Sequence, residues 1–85
     1  NIPNPFNPST IISYYLPEGS FASIRIFDTS GRLVRTLVND YQESGEAEVV
    51  WNGRNLEGCL VKSGIYYCRL DTGKYSLSRK MVLLR

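Results

Sequence analysis

Two cysteines are the residues of this chain whose chemistry is easiest to define. Cys59 and Cys68 flank Ser63-Gly64, which we expect to form a two-residue hairpin turn. Counting outward from that turn places Cys59 opposite Cys68 at a non-hydrogen-bonded pair, where side chains approach most closely. A disulfide there would close a loop of about ten residues, stabilise the domain by about 2 to 3 kcal/mol and suit an oxidising compartment. The alternative is two small buried thiols.

The other potential ligands do not combine into a metal or catalytic site. The chain has no histidine and only two cysteines, which excludes zinc-finger spacing and histidine-dependent acid–base chemistry. Asn52, Asn55 and Glu57 could offer oxygens to calcium, but they fall short of the about six to eight ligands that the ion takes. A turn-rich connection explains them better. We therefore expect no enzyme activity, no metal and no cofactor.

The acidic and aromatic side chains also have non-catalytic explanations. Glu43, Glu46 and Glu48 lie on a predicted loop or the outward face of a strand, not in the cleft that glycoside hydrolysis requires. The neighbours Tyr14-Tyr15 and Tyr66-Tyr67 place one ring on each face of a strand. Carbohydrate binding by an exposed aromatic row is thus a weaker alternative to core packing.

Length and composition define the class of protein. The chain has 85 residues, 42% hydrophobic and 21% charged, which fits one globular domain with a small core. A net charge of +2 is too balanced to indicate a nucleic-acid partner. No apolar run approaches the roughly 20 residues of a transmembrane segment, and no signal peptide is recognisable, so we expect any export signal to precede this segment.

Alternating hydrophobic residues predict short strands along most of the chain. Turn signals recur every 8 to 12 residues or so, a pattern typical of an all-β, immunoglobulin-like β-sandwich of about seven antiparallel strands. Residues 1–9 are rich in proline and asparagine and should be a linker or arm, whereas residues 10–85 form the sandwich domain. The strands are expected at 10–16, 21–28, 32–38, 46–51, 60–62, 65–71 and 75–84, with a loop over 39–44. Their inward positions predict a core containing Ile12, Tyr14, Ile24, Ile26, Val49 and Trp51.

Five segments of the sequence resemble those of a known family. In order, they are Asn4-Pro5-Phe6-Asn7-Pro8-Ser9-Thr10, Phe27-Asp28-Thr29-Ser30-Gly31-Arg32, Val49-Val50-Trp51-Asn52-Gly53-Arg54, Ser63-Gly64-Ile65-Tyr66-Tyr67 and Arg79-Lys80-Met81-Val82-Leu83-Leu84-Arg85. Together they resemble the type A C-terminal sorting domain of the bacterial type IX secretion system, over nearly the whole chain. Residues 31–67 also resemble the immunoglobulin-like domain of the flagellar hook-capping protein.

The first resemblance implies a non-catalytic sorting domain that follows an exported cargo domain. It implies recognition by outer-membrane secretion machinery and a final location at the cell surface or in the medium. Cys59 and Cys68 depart from the family, which commonly has polar and aromatic residues at those positions. Carried over by position, the recognition residues are Asp28, Gly31 and Arg32 in a turn, and Lys80, Met81, Val82, Leu83, Leu84 and Arg85 in the closing strand.

The second resemblance implies an alternative function. The domain would then be a structural module that associates with copies of itself or with neighbouring domains, as in a hook cap or an extracellular filament. Its contacts would be made by the arm at residues 1–9 or by edge strands.

Overall fold

The computed structural model describes residues 9–84, which form six β-strands and no helix. The all-β prediction is confirmed, with six strands in this part of the chain where about seven were expected. The predicted arm at residues 1–9 lies almost entirely outside the described residues. The strands are β1 Thr10–Leu16, β2 Ser20–Phe27, β3 Leu33–Gln42, β4 Gly45–Trp51, β5 Gly64–Thr72 and β6 Ser76–Leu83.

The six strands form two antiparallel sheets. β1 pairs with β4 in the smaller sheet, and the larger sheet has the order β3-β2-β5-β6. Buried apolar residues recur at alternate positions of β1, β2 and β5, so each sheet has one face rich in apolar side chains, and these two faces pack together. Within residues 9–84, β1, β4, β3 and β6 each have one edge without a partner strand.

The core lies between the sheets, and one aromatic pair connects them. Trp51 of β4 is fully buried and meets Tyr66 of β5 edge to face, with the ring centroids 5.3 Å apart and the planes at 68°. The buried hydrophobic residues are Ile12, Leu16, Ala22, Ile24, Ile26, Val34, Trp51, Tyr66, Cys68, Leu70 and Leu83; Tyr14 and Val49 are half-buried and pack against them.

The same two rings hold the long connection between β4 and β5. The indole N–H of Trp51 donates to the carbonyl of Arg54 at 3.0 Å, and the Tyr66 hydroxyl donates to the carbonyl of Lys62 at 2.7 Å. The connection is therefore anchored near both of its ends by side chains of the core.

Two predicted elements differ from the structure. The predicted loop at 39–44 is strand as far as Gln42, because Tyr41 pairs with Phe21 and Gln42 with Ser20 across the β2–β3 hairpin. Polar residues are tolerated there because β3 is an edge strand. The predicted strand at 60–62 is reduced to a single bridge between Leu60 and Arg54.

The predicted disulfide between Cys59 and Cys68 is wrong, because both cysteines are free thiols. The prediction required Ser63-Gly64 to be a hairpin turn, but Gly64 begins β5 and pairs with Leu83 of β6. Cys59 is exposed in the connection, where its backbone N–H and carbonyl are both bonded to Asn55. Cys68 lies in the core, and its burial raises the pKa of its thiol.

We expect the two thiols to differ sharply in reactivity. Cys59 should react with a thiol-specific reagent in the native protein, whereas Cys68 should react only after unfolding, because burial and the raised pKa suppress its thiolate. Thiol titration without reductant, in buffer and then in denaturant, measures this. If no thiol became titratable in denaturant, the disulfide would have formed after all.

Replacing Trp51 with phenylalanine should destabilise the domain by about 1 to 3 kcal/mol. The substitution leaves a cavity between the sheets and removes the donor to the Arg54 carbonyl. Urea denaturation followed by circular dichroism measures the free energy of unfolding. Val50→Ala, on the exposed face of the same strand, should change it by no more than about 0.5 kcal/mol. Equal effects of the two substitutions would contradict the central role of Trp51.

Candidate protein-recognition surface

The turn between β2 and β3 is organised by one carboxylate. Oδ1 of Asp28 accepts hydrogen bonds from the N–H groups of Ser30 and Arg32, at 2.9 and 3.0 Å, and from the Ser30 hydroxyl at 2.6 Å. Gly31 has φ 85°, a left-handed conformation that glycine adopts without strain. The turn therefore keeps one conformation and presents its remaining groups to solvent.

Arg32 is the charged group that this turn presents. Its side chain is 81% exposed, and its Nε lies 3.6 Å from Oδ2 of Asp28. The hydrogen bond from the Ser30 hydroxyl is the largest cause that lowers the pKa of Asp28, followed by that from the Arg32 N–H. The carboxylate thus stays ionised at neutral pH and holds the turn while the guanidinium faces solvent.

The closing strand β6 divides the predicted recognition residues into two groups. Met81 is half-buried and Leu83 is 3% exposed, so their side chains belong to the core. Lys80 and Val82 point outward, and Val82 is 59% exposed. Leu84, directly after β6, is 74% exposed, and Arg85 lies outside the described residues. Only the second group is available to a partner.

The strand register brings the turn and β6 to the same end of the larger sheet. Phe27, the last residue of β2, pairs with Leu33 on one side and Tyr67 on the other. Tyr67 in turn pairs with Lys80, and Ile65 with Val82. Because adjacent strands are about 4.8 Å apart, β2 and β6 are separated by about 10 Å. Two segments that are distant in sequence are thus neighbours.

These pairs form a single surface, which we call the end patch. Its apolar members and Lys80 lie on the outward face of the larger sheet, and Arg32 lies next to Leu33 in the adjoining β2–β3 turn. The apolar members are Phe27, Leu33, Ile65, Tyr67 and Val82, and the cations are Arg32 and Lys80. Leu33, Ile65 and Tyr67 are each about 40% exposed, an unusual arrangement for the solvated face of a sheet.

The connection between β4 and β5 uses its oxygen atoms internally. Oδ1 of Asn52 accepts a hydrogen bond from the N–H of Arg54 at 3.1 Å. Oδ1 of Asn55 accepts bonds from the N–H groups of Glu57 and Cys59, both at 3.0 Å.

Within residues 9–84 no three His, Cys, Asp or Glu side chains are grouped as metal ligands would be. No helix in that range is long and apolar enough to span a membrane.

The turn should respond to pH through Asp28. Because its folded pKa lies below its ordinary value of about 4, the contribution of the carboxylate to stability is present above that value. It is lost as the pH falls through the lowered pKa. We expect the amide NMR signals of Ser30 and Arg32 to titrate together with the Asp28 carboxyl, at a pH below the ordinary pKa. Ser30→Ala should raise that pKa; an unchanged pKa would contradict the hydrogen-bond assignment.

The fold is shared with proteins of known structure. FlgD from P. aeruginosa has a TM-score of 0.70 and 20% identity, over 88% of this chain and 58% of its own. FlgD from Xanthomonas campestris has a TM-score of 0.69 and 19% identity, over 91% of this chain and 56% of its own. PorZ of the Porphyromonas gingivalis type-IX secretion system has a TM-score of 0.58 and 24% identity, over 88% of this chain and 11% of its own.

These likenesses establish an immunoglobulin-like fold. The chain spans less than two thirds of the length of each of these three structures. No curated protein matches the sequence. The FlgD Ig-like domain family matches residues 7–78, which is most of the chain. The chain is therefore a member of the FlgD Ig-like domain family.

Proposed function

We propose that this domain is a C-terminal sorting domain of the type IX secretion system. It directs an exported cargo protein across the outer membrane to the cell surface or the medium, and it acts by protein recognition. The observation that carries the proposal is the end patch. The two segments that resemble the recognition regions of the sorting family, residues 28–32 and 80–84, lie at one end of one sheet.

The chemistry of the end patch suits a protein partner. A partly exposed aromatic side chain, Tyr67, lies in the row between Phe27 and Lys80. Aromatic side chains surrounded by other apolar groups commonly supply most of the binding energy of an interface. Arg32 and Lys80 flank the apolar members and would favour carboxylates at the rim of the partner. The partner that we expect is a component of the outer-membrane secretion machinery.

One similar structure supports this assignment. PorZ is described as an essential bacterial surface component of the type-IX secretion system, and a small part of it has the fold of this chain. The domain thus has a structural relative within that secretion system, in addition to the sequence resemblance to the sorting family.

An export assay with substitutions on the end patch tests the proposal. A reporter with an export signal is fused ahead of residues 1–85 and expressed in a bacterium with type IX machinery. The double variant Lys80→Glu, Val82→Asp should weaken binding to the secretion machinery about tenfold, a loss of about 1.4 kcal/mol, and should therefore lower the exported fraction. Both side chains point outward, so we expect the fold to be retained. Deleting residues 80–85 would be less informative, because it removes the buried Leu83.

The matched control is the double variant Lys74→Glu, Val50→Asp. It makes the same change in charge and polarity at exposed positions away from the end patch, and it breaks only an exposed ion pair with Glu18. We expect the control variant to be exported and the end-patch variant to be retained in the periplasm. Equal export of both variants would contradict recognition by the end patch, and retention of the unsubstituted fusion would contradict the sorting function itself.

A second candidate function is a structural module that self-associates or docks on neighbouring domains. Membership of the FlgD Ig-like domain family favours it, because the structure of FlgD from Xanthomonas campestris is described in terms of hook capping essential for flagellar assembly. Sedimentation equilibrium over a range of concentrations separates the two functions. A sorting domain should remain monomeric, whereas a subunit of a cap or filament should form larger species as the concentration rises.

A further inference from the structure

In the part of the chain that the structure describes, a long groove runs between the edges of β1 and β6 that have no partner strand, on the opposite side of the sandwich from the β3–β4 connection. Its volume is about 680 Å³. Residues 10–15 of β1 line one wall, and Leu77, Ser78 and Arg79 of β6 line the other. Because successive residues of a strand point to opposite faces, a cavity on one face of a sheet would touch only every second residue. This groove is lined by consecutive residues, so it follows the strand edges. Its floor is apolar and includes Ile24 and Leu70.

Within residues 9–84, both walls carry backbone groups that no neighbouring strand pairs with. In the part of the chain that the structure describes, β1 is hydrogen-bonded only to β4, and β6 only to β5. A free strand edge presents a row of N–H and C=O groups that another strand can pair with. β1 has seven residues, so the groove accommodates an extended segment about 23 Å long.

An inward-facing leucine in this groove is left uncovered. Leu77 of β6 pairs with Leu70 of β5, whose side chain is 7% exposed and faces the core. Leu77 therefore also faces inward, yet it is 58% exposed. Covering it would remove apolar surface from water, which is favourable. The groove thus has an apolar position that a bound side chain could fill.

Arg79 places a positive charge beside that leucine. It pairs with Cys68, whose side chain is buried, so Arg79 also points toward the groove. No carboxylate among residues 9–84 lines the groove. Within the same residues Arg79 makes no ion pair. Glu46 and Glu48 line a neighbouring depression together with Arg79. An inward charge can discourage strand pairing, but the exposed Leu77 favours it. A guanidinium in this position selects for a carboxylate.

We propose that this groove binds an extended segment of another protein as an added β-strand. The segment has apolar side chains at alternate positions and a carboxylate that pairs with Arg79. Recognition by strand addition takes affinity from backbone hydrogen bonds and specificity from alternate side chains. The groove is distinct from the end patch, so this proposal stands whether or not the domain is a sorting signal.

A defined peptide tests the proposal. The probe is a capped seven-residue peptide with threonine at its four outward positions and valine, glutamate and valine at its three inward positions. Titrated into residues 1–85, it should shift the amide NMR signals of β1 and β6 in a saturable manner. Replacing its glutamate with lysine should weaken binding about tenfold, and Arg79→Glu should reverse that preference. Leu77→Asp should weaken binding of the glutamate peptide by a similar factor.

Two controls keep the test specific. Lys62→Glu makes a charge change at an exposed residue outside the groove, and Val50→Asp alters a residue as exposed as Leu77 on the other sheet. Both should leave binding unchanged. The absence of saturable binding would overturn the proposal, as would shifts confined to the end patch or equal binding of the glutamate and lysine peptides.

Two further measurements distinguish the proposed partner from other occupants of the groove. If removal of residues 1–8 increased peptide affinity tenfold or more, this chain's own amino-terminal segment would be the occupant, and the proposal would be wrong. If the chain self-associated without peptide and Leu77→Asp abolished that association, the occupant would be a second copy, which would also contradict the proposal. Unchanged affinity without residues 1–8, together with a monomeric chain, would support it.

Discussion

The edge-to-face contact between Trp51 and Tyr66 is the interaction on which the rest of this structure depends. The smaller sheet has only two strands, and an isolated two-stranded sheet is at best marginally stable in water. It is held by the apolar face that it buries against the larger sheet, and Trp51 is the largest fully buried side chain. The polar atoms of the two rings also fix the connection from β4 to β5, through the carbonyls of Arg54 and Lys62. One pair therefore joins two sheets and orders a long loop.

The strands could largely be predicted from the sequence because each buries one face. The pattern at residues 10–16 placed Ile12 and Tyr14 inward; Ile12 is buried, and Tyr14 is half-buried and packs against the core. The errors arose where local turn signals competed with distant partners. Ser63-Gly64 has the composition of a hairpin turn, but Gly64 pairs with Leu83, which is far away in sequence. Because Gly64 begins β5, the hairpin register on which the predicted disulfide depended does not form. The backbone of Cys59 is hydrogen-bonded to Asn55 instead.

The end patch was only partly predictable for the same reason. The turn at residues 28–31 combines a short acidic side chain, a hydroxyl and a glycine, and its geometry follows from those residue types. The apolar middle of the end patch could not be found in this way. Phe27 is far in sequence from Ile65 and Tyr67, and Val82 is distant from both, so their proximity depends on the register of β2, β5 and β6. One sequence signal could have indicated them: an apolar residue at a position of an alternating strand whose side chain faces solvent.

The most direct measurement is site-specific photocrosslinking during export. A photoreactive amino acid would replace Tyr67, within the end patch, or Tyr41, at the opposite end of the same outward face. Tyr41 is 59% exposed and Tyr67 38% exposed, so exposure alone favours the control position. We expect a crosslink to an outer-membrane component from position 67 and none from position 41. A crosslink from position 41 alone, or none from either position while export continues, would contradict the central claim that the end patch is the recognised surface.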